Sequence, residues 1–198
     1  MIRISAPSSA RRPLLAAALL GLAALAFAAA PAQAQRAASK PAPAKTAATG
    51  GQGQALLLES AGKWQAFSSQ QGRSKICYAL SKAESRTPAN LKDVEGLLFI
   101  SSRPGEGVRN EISLVMNFDL KEDVEHQAII GAERFALVAK GQNVWLKNPA
   151  EEGRMLDALR KGSGLEIKGT SKRGNATSDK YSLAGISQIV KRAEDACK

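Results

Sequence analysis

The sequence predicts an all-β fold, a two-sheet sandwich or a barrel, with a short helix before the last hairpin and a helix at the C-terminus. Three observations carry this. Short apolar/polar alternations recur through residues 63–183, separated by Gly, Pro and Asn clusters. Only two stretches show helical spacing. The regular pattern begins only after an apolar leader and a spacer with nothing to bury.

The strands follow in order. Residues 63–69 alternate Trp64, Ala66 and Ser68 with Gln65 and Phe67. Residues 74–81 place Ile76, Tyr78 and Leu80 on one face and Cys77 and Ala79 on the other. The cluster Thr87-Pro88-Ala89-Asn90 reads as a breaker. Leu97–Ile100 forms a third strand that ends at Arg103-Pro104-Gly105. Ile112, Leu114, Met116 and Phe118 alternate strictly and mark a fourth. Ala128–Ile130, Phe135–Val138 and Val144–Leu146 are three more, punctuated by Gly131 and Gly141-Gln142-Asn143.

The middle helix is signalled by its ends. Asn148 can cap it, Pro149 suits the first turn, and Glu151 sits at the capping-box position. Arg160 and Lys161 fall in its last turn, Gly162 follows, and Met155, Leu156 and Leu159 give a narrow apolar face. In the hairpin that comes next, Leu165 and Ile167 lie on one strand and Tyr181 and Leu183 on the other, with a turn at Arg173-Gly174-Asn175. Lys168, Lys172 and Lys180 then point away from the core. Finally Ile186, Ile189, Val190, Ala193 and Cys197 share one helical stripe.

Upstream of the domain, Arg3, Arg11 and Arg12 precede an unbroken apolar run from Leu14 to Ala30, and Ala32-Gln33-Ala34 supplies an A-x-A cleavage site. This is the order of a secretory signal peptide, over residues 1–34. Cleavage leaves no integral membrane segment, because the run is short for a span and mostly alanine. The next segment, 35–54, is an Ala/Pro/Lys/Gly linker expected to be disordered, with Arg36, Lys40 and Lys45 as its only charges. Residues 55–198 form the folded domain.

The net charge of +10 on the whole chain overstates the charge of that domain. Six of the 28 Lys and Arg lie in residues 1–54 and none of the 18 Asp and Glu do, which leaves the domain at +4. A nucleic-acid surface needs a basic stripe with aromatic platforms, and none is visible, so nucleic acid is excluded as a partner. The only two cysteines, Cys77 and Cys197, both lie in the exported part, where an internal disulfide is the default. A free thiol and a link to another chain are the alternatives. A monomer in the periplasm or outside the cell is expected.

Catalytic motifs do not survive scrutiny. His126 is the single histidine and sits in Glu122-Asp123-Val124-Glu125-His126, which reads as a solvated polar loop. One His cannot build a structural zinc site with a paired cysteine, and no nucleophile elbow accompanies it. Ser60-Ala61-Gly62-Lys63 matches S-x-x-K, but Gly62 and the strand after it argue against the required helix. No catalytic residue, cofactor or metal is assigned.

The end of the chain carries a more specific signal. Gly162, then Gly169-Thr170-Ser171-Lys172-Arg173-Gly174, then Thr177-Ser178-Asp179-Lys180-Tyr181-Ser182-Leu183-Ala184-Gly185 resembles the last third of the invasion-associated locus B family. Trp64 shortly before Cys77-Tyr78 resembles that family's N-terminal Trp and Cys, so the likeness covers about residues 56–198. This chain lacks the mid-chain cysteines of longer members and has Ile186 where many have Phe. The resemblance implies an exported, immunoglobulin-like β-sandwich linked in some bacteria to host-cell entry, with no catalytic residues to carry over. The motif itself reads as structural. Ser178 and Asp179 suit a turn or helix entry, Tyr181 and Leu183 suit the core, and Gly185 allows close approach where strand becomes helix. The expected function is a non-enzymatic binding domain facing an unidentified protein, the envelope or a host surface, with Lys168, Lys172 and Lys180 as the candidate contact. An envelope-maintenance factor and a hydrolase of envelope polymers are the alternatives. A deep pocket holding Asp179 with a second carboxylate would favour the hydrolase.

Overall fold

A computed structural model describes residues 53–198 of the chain. The expected signal peptide, and the linker up to residue 52, lie outside the described residues.

Eleven strands and two α-helices follow in the order β1 (Ala55–Ala61), β2 (Trp64–Gln71), β3 (Ser74–Lys82), β4 (Ser85–Thr87), β5 (Leu97–Arg103), β6 (Val108–Val115), β7 (His126–Ile130), β8 (Glu133–Lys140), β9 (Asn143–Leu146), α1 (Glu152–Lys161), β10 (Gly164–Thr170), β11 (Ala176–Ser182) and α2 (Ile186–Ala196). The fold is all-β and antiparallel, with a short helix before the last hairpin and a helix at the C-terminus, as the pattern predicts. It is sandwich-like, but hydrogen bonds run through both layers. All strands join one ladder in the order β1-β2-β3-β5-β6-β9-β8-β7-β10-β11-β4. Only Ala83 and Glu84 separate β3 from β4. One continuous stretch of chain thus pairs with β5 through β3 and with β11 through β4. That closes the ladder around a single core.

Register fixes what faces inward. Trp64, Ser81, Leu98, Leu114, Val144 and Ala139 lie side by side across six strands, and all are buried. The next inner row is Ala66, Ala79, Ile100 and Ile112. Small side chains in this row and at Cys77 let α2 lie close on β1, β2, β3 and β5. Ile186, Ile189, Val190 and Ala193 form its buried stripe, as the helical spacing predicts. Cys77 and Cys197 are disulfide-bonded, with Cα atoms 5.8 Å apart, and this ties the end of α2 to β3.

Two elements escaped the sequence pattern. β1 carries three consecutive leucines and no alternation, because it is an edge strand with a register shift between Leu57 and Glu59. β4 is three residues long, directly before Pro88, inside what reads as a breaker. The fourth strand also differs from its expected span, since β6 starts at Val108 and stops at Val115. Beyond it, Met116 stays buried and Phe118 half-buried without strand pairing. Asn148 caps as expected: its Oδ1 accepts from the Ala150 N–H at 3.1 Å, though one 3₁₀ turn, Pro149–Glu151, precedes α1.

Close approach explains the glycine at the β11–α2 junction. Gly185 has φ +90°, and a Cβ there would stand 2.6 Å from the Ala61 carbonyl oxygen. Gly62, φ +60°, makes the reciprocal approach to the Ala184 carbonyl. The Trp64 indole N–H donates to the Ser182 carbonyl at 2.9 Å. The β1–β2 turn is thereby docked on the Ser182–Gly185 link. Ser60–Lys63 is strand end and hairpin turn, so its S-x-x-K match has no helix to stand on.

Candidate functional site

Two features stand out once the strands are placed: a cleft at one end of the closed ladder and an apolar outer sheet face.

Asp179 underlies the cleft, and its position corrects the sequence reading. It lies in mid-β11 rather than in a turn or at a helix entry, and it is fully buried. Alternation decides this, because Thr177, Asp179 and Tyr181 share the inward parity of β11. Arg86 stands directly across from it on β4. The Arg86 guanidinium donates to both carboxylate oxygens, Nε to Oδ1 at 2.9 Å and Nη2 to Oδ2 at 2.6 Å, while Nη1 donates to the Val94 carbonyl at 2.7 Å. Burial pushes the Asp179 carboxyl up from its ordinary value, and the Arg86 hydrogen bonds and charge oppose that rise. Gly96 passes over the pair so closely that a Cβ would be 2.8 Å from Asp179 Oδ2. The Tyr181 hydroxyl is buried beside them with no hydrogen-bond partner. Burial, and then the Asp179 charge, holds its phenol well above the usual range. Asp179 therefore faces a guanidinium, not the second carboxylate that acid–base hydrolysis would use.

Above this pair, Arg86 lies 5.2 Å from the centre of the Phe118 ring. Phe118 in turn lines a cleft of about 430 Å³ with Pro88, Leu91, Gln142, Asn175 and Thr177. Asn90, Asp119, Ser171, Lys172 and Arg173 complete its rim. The rim is held by backbone. Lys121 N–H donates to Thr170 O at 2.9 Å, Lys172 N–H to Asp119 O at 2.8 Å, and Leu120 bridges Ser171.

His126 belongs to this support, not to a solvated loop. It opens β7, and its side chain is 1 % exposed. Nε2 lies 2.9 Å from the Lys121 carbonyl, and Nδ1 accepts the Thr170 N–H at 3.3 Å. A carbonyl on Nε2 and an N–H on Nδ1 assign the neutral tautomer with the proton on Nε2. The acidic run before it hid this, since only strict alternation with Ala128 and Ile130 gives the inward position.

The three lysines do not share one location. Lys168 and Lys180 are exposed on neighbouring strands of the β10–β11 hairpin. Lys172 sits in the turn on the cleft rim. Carboxylates offset two of them: Lys168 is 3.8 Å from Glu166, and Lys172 is 3.8 Å from Asp119.

On the outer face of the sheet, register aligns Leu57, Phe67 and Tyr78 in one row and Phe99, Trp145 and Val138 in the next. Phe67 and Tyr78 stack at 5.2 Å, and Tyr78 meets Phe99 at 5.8 Å. The four aromatics are half-buried, while Leu57 is 49 % exposed and Val138 39 %. Leu57 lies on β1, the end strand of the ladder; its neighbour Leu56, 41 % exposed, points to the other face, in register with Ser68 and Cys77. Sequence alternation separates the two faces within β2 and within β3, but cross-strand register is needed to gather these residues on one face and to show that α2 and small side chains take the other.

Among the described residues, no helix is long and apolar enough to cross a membrane. The chain matches no family model, no curated protein and no solved structure.

Proposed function

We propose that the protein is an exported, non-enzymatic binding domain of the invasion-associated locus B kind, working in the periplasm or outside the cell and contacting a partner protein of the envelope or of a host. The apolar outer face carries this reading. A row of half-buried aromatics ending in exposed Leu57 leaves apolar area in water that a monomer has reason to cover. The disulfide fits an oxidising compartment. The end-strand position of β1 favours one kind of occupant. Among the described residues only β2 pairs with β1, so its other edge offers backbone N–H and C=O groups. An extended segment of a partner protein matches them, adding a strand and laying apolar side chains over Leu57 and Phe67.

A photo-reactive side chain placed at position 57 in the full chain, inside the native envelope, tests this. The expected result is a covalent adduct with one protein, lost when Ala55→Pro removes an N–H from the open edge of β1 and breaks strand pairing. An adduct from position 180, with none from position 57, moves the contact to the lysine-bearing hairpin and ends the outer-face reading.

A further inference from the structure

We infer that the cleft between Pro88–Leu91 and the β10–β11 turn is a binding site for a saccharide unit bearing a carboxylate. This goes beyond the protein-docking role of the outer face and does not depend on it.

The cleft has the size and make-up of a small-molecule site. About 430 Å³ falls within the range that ordinary ligand pockets occupy. Its lining combines the apolar Pro88, Leu91 and Phe118 with three carboxamides, Asn90, Gln142 and Asn175. A sugar ring has the matching duality. Its C–H face packs on an aromatic ring, and its hydroxyls both donate and accept, as each carboxamide does. Arg86 occupies one face of Phe118, which leaves the opposite face or edge of the ring for the cleft.

One further observation points to a ligand. The charge at the rim is unbalanced. Asp119 stands 3.8 Å from the Lys172 ammonium, whereas Arg173 is exposed and has no carboxylate within 4.0 Å among the described residues. A guanidinium beside a polyol pocket selects a planar carboxylate, which it binds with two parallel hydrogen bonds. The walls are already in place. His126 and the Lys121–Thr170 and Lys172–Asp119 backbone bonds fix the rim, so little ordering opposes binding.

The test uses the full chain with its disulfide intact. Backbone amide NMR signals are followed during titration with D-glucuronate, D-glucose, acetate and inorganic phosphate. Saturable shifts confined to Phe118, Gln142 and Ser171–Thr177 are expected with D-glucuronate, at a dissociation constant on the order of 1 mM for so small a ligand. D-glucose should bind at the same signals about tenfold more weakly, by loss of one charge-assisted pair. Arg173→Gln should bring D-glucuronate down to the D-glucose level with no loss of thermal stability. Three results overturn the proposal: no saturable shift with either sugar, shifts that map outside the cleft, or acetate or phosphate binding as well as D-glucuronate. The last would make the cleft a simple anion site.

Discussion

Arg86 and Asp179 place opposite charges where neither meets water, at 8 % and 0 % exposure. Such a pair is weak evidence for net stability, but breaking it strands a charge. Arg86→Met is therefore expected to cost about 3–5 kcal/mol in urea unfolding, and the double variant Arg86→Met/Asp179→Leu to recover most of that loss. A double variant as unstable as the single one would show that packing, not the stranded charge, sets the cost. Tyr181 makes a separate prediction. Its folded phenol titrates above the unfolded value of about 10, so the folded state keeps a proton that the unfolded state loses. Stability from this group is full below that pH and falls as pH rises past it. Tyr181→Phe removes the fall and sacrifices no hydrogen bond, because the hydroxyl has no partner. Urea midpoints of wild type and variant should coincide at neutral pH and separate in favour of the variant above pH about 10. At this scale the sequence was half legible. Asp179 shares parity with Tyr181, a residue the pattern places in the core; that signal could have buried it, but the sequence reading put it in a turn or at a helix entry. Its partner was out of reach, since Arg86 lies 93 residues away in a strand too short to show alternation.

Elements with both periodicity and end signals were readable. The α1 cap, the α2 stripe and the β10–β11 hairpin all stand where their residues put them. Those that depend on tertiary partners were not. β1 reads as a leucine run because its inner face is supplied by α2, and β4 exists because β11 pairs with it. The turn that joins these regions gives a sharp test. Gly185→Ala forces a side chain to φ +90° and into the Ala61 carbonyl, so it should cost more than about 1 kcal/mol. Gly174→Ala, also at positive φ (+88°) but in open space, separates the two causes. If both cost the same, backbone strain alone is responsible and the docking of the β1–β2 turn contributes nothing.

For the whole molecule, the disulfide between β3 and the end of α2 closes a loop spanning nearly the entire domain, with 120 residues of separation. Chain-entropy reasoning puts its contribution at up to about 5 kcal/mol, so Cys77→Ser/Cys197→Ser should lose a large part of the stability of a domain this size. Denaturant unfolding of the disulfide-bonded protein with and without reductant measures the same quantity. The pairing was legible from two cysteines downstream of a leader that reads as a secretory signal and from the phase of the last helix. The closed ladder was not, because only cross-strand register shows that β3 pairs with β5 while the adjoining β4 pairs with β11. Function was less legible still. Composition and motifs gave only expectations about partner and chemistry, while the outer aromatic rows and the cleft depend on the register and on which face α2 covers.

Everything proposed here starts from an exported, internally stapled chain, and intact mass tests that most directly. The protein is taken from its native envelope fraction and alkylated with and without prior reduction. The account predicts a single chain beginning at Gln35, with two alkylation sites that appear only after reduction. Thiols that alkylate without reduction, a mass that retains residues 1–34, or a doubled mass that halves on reduction would contradict it.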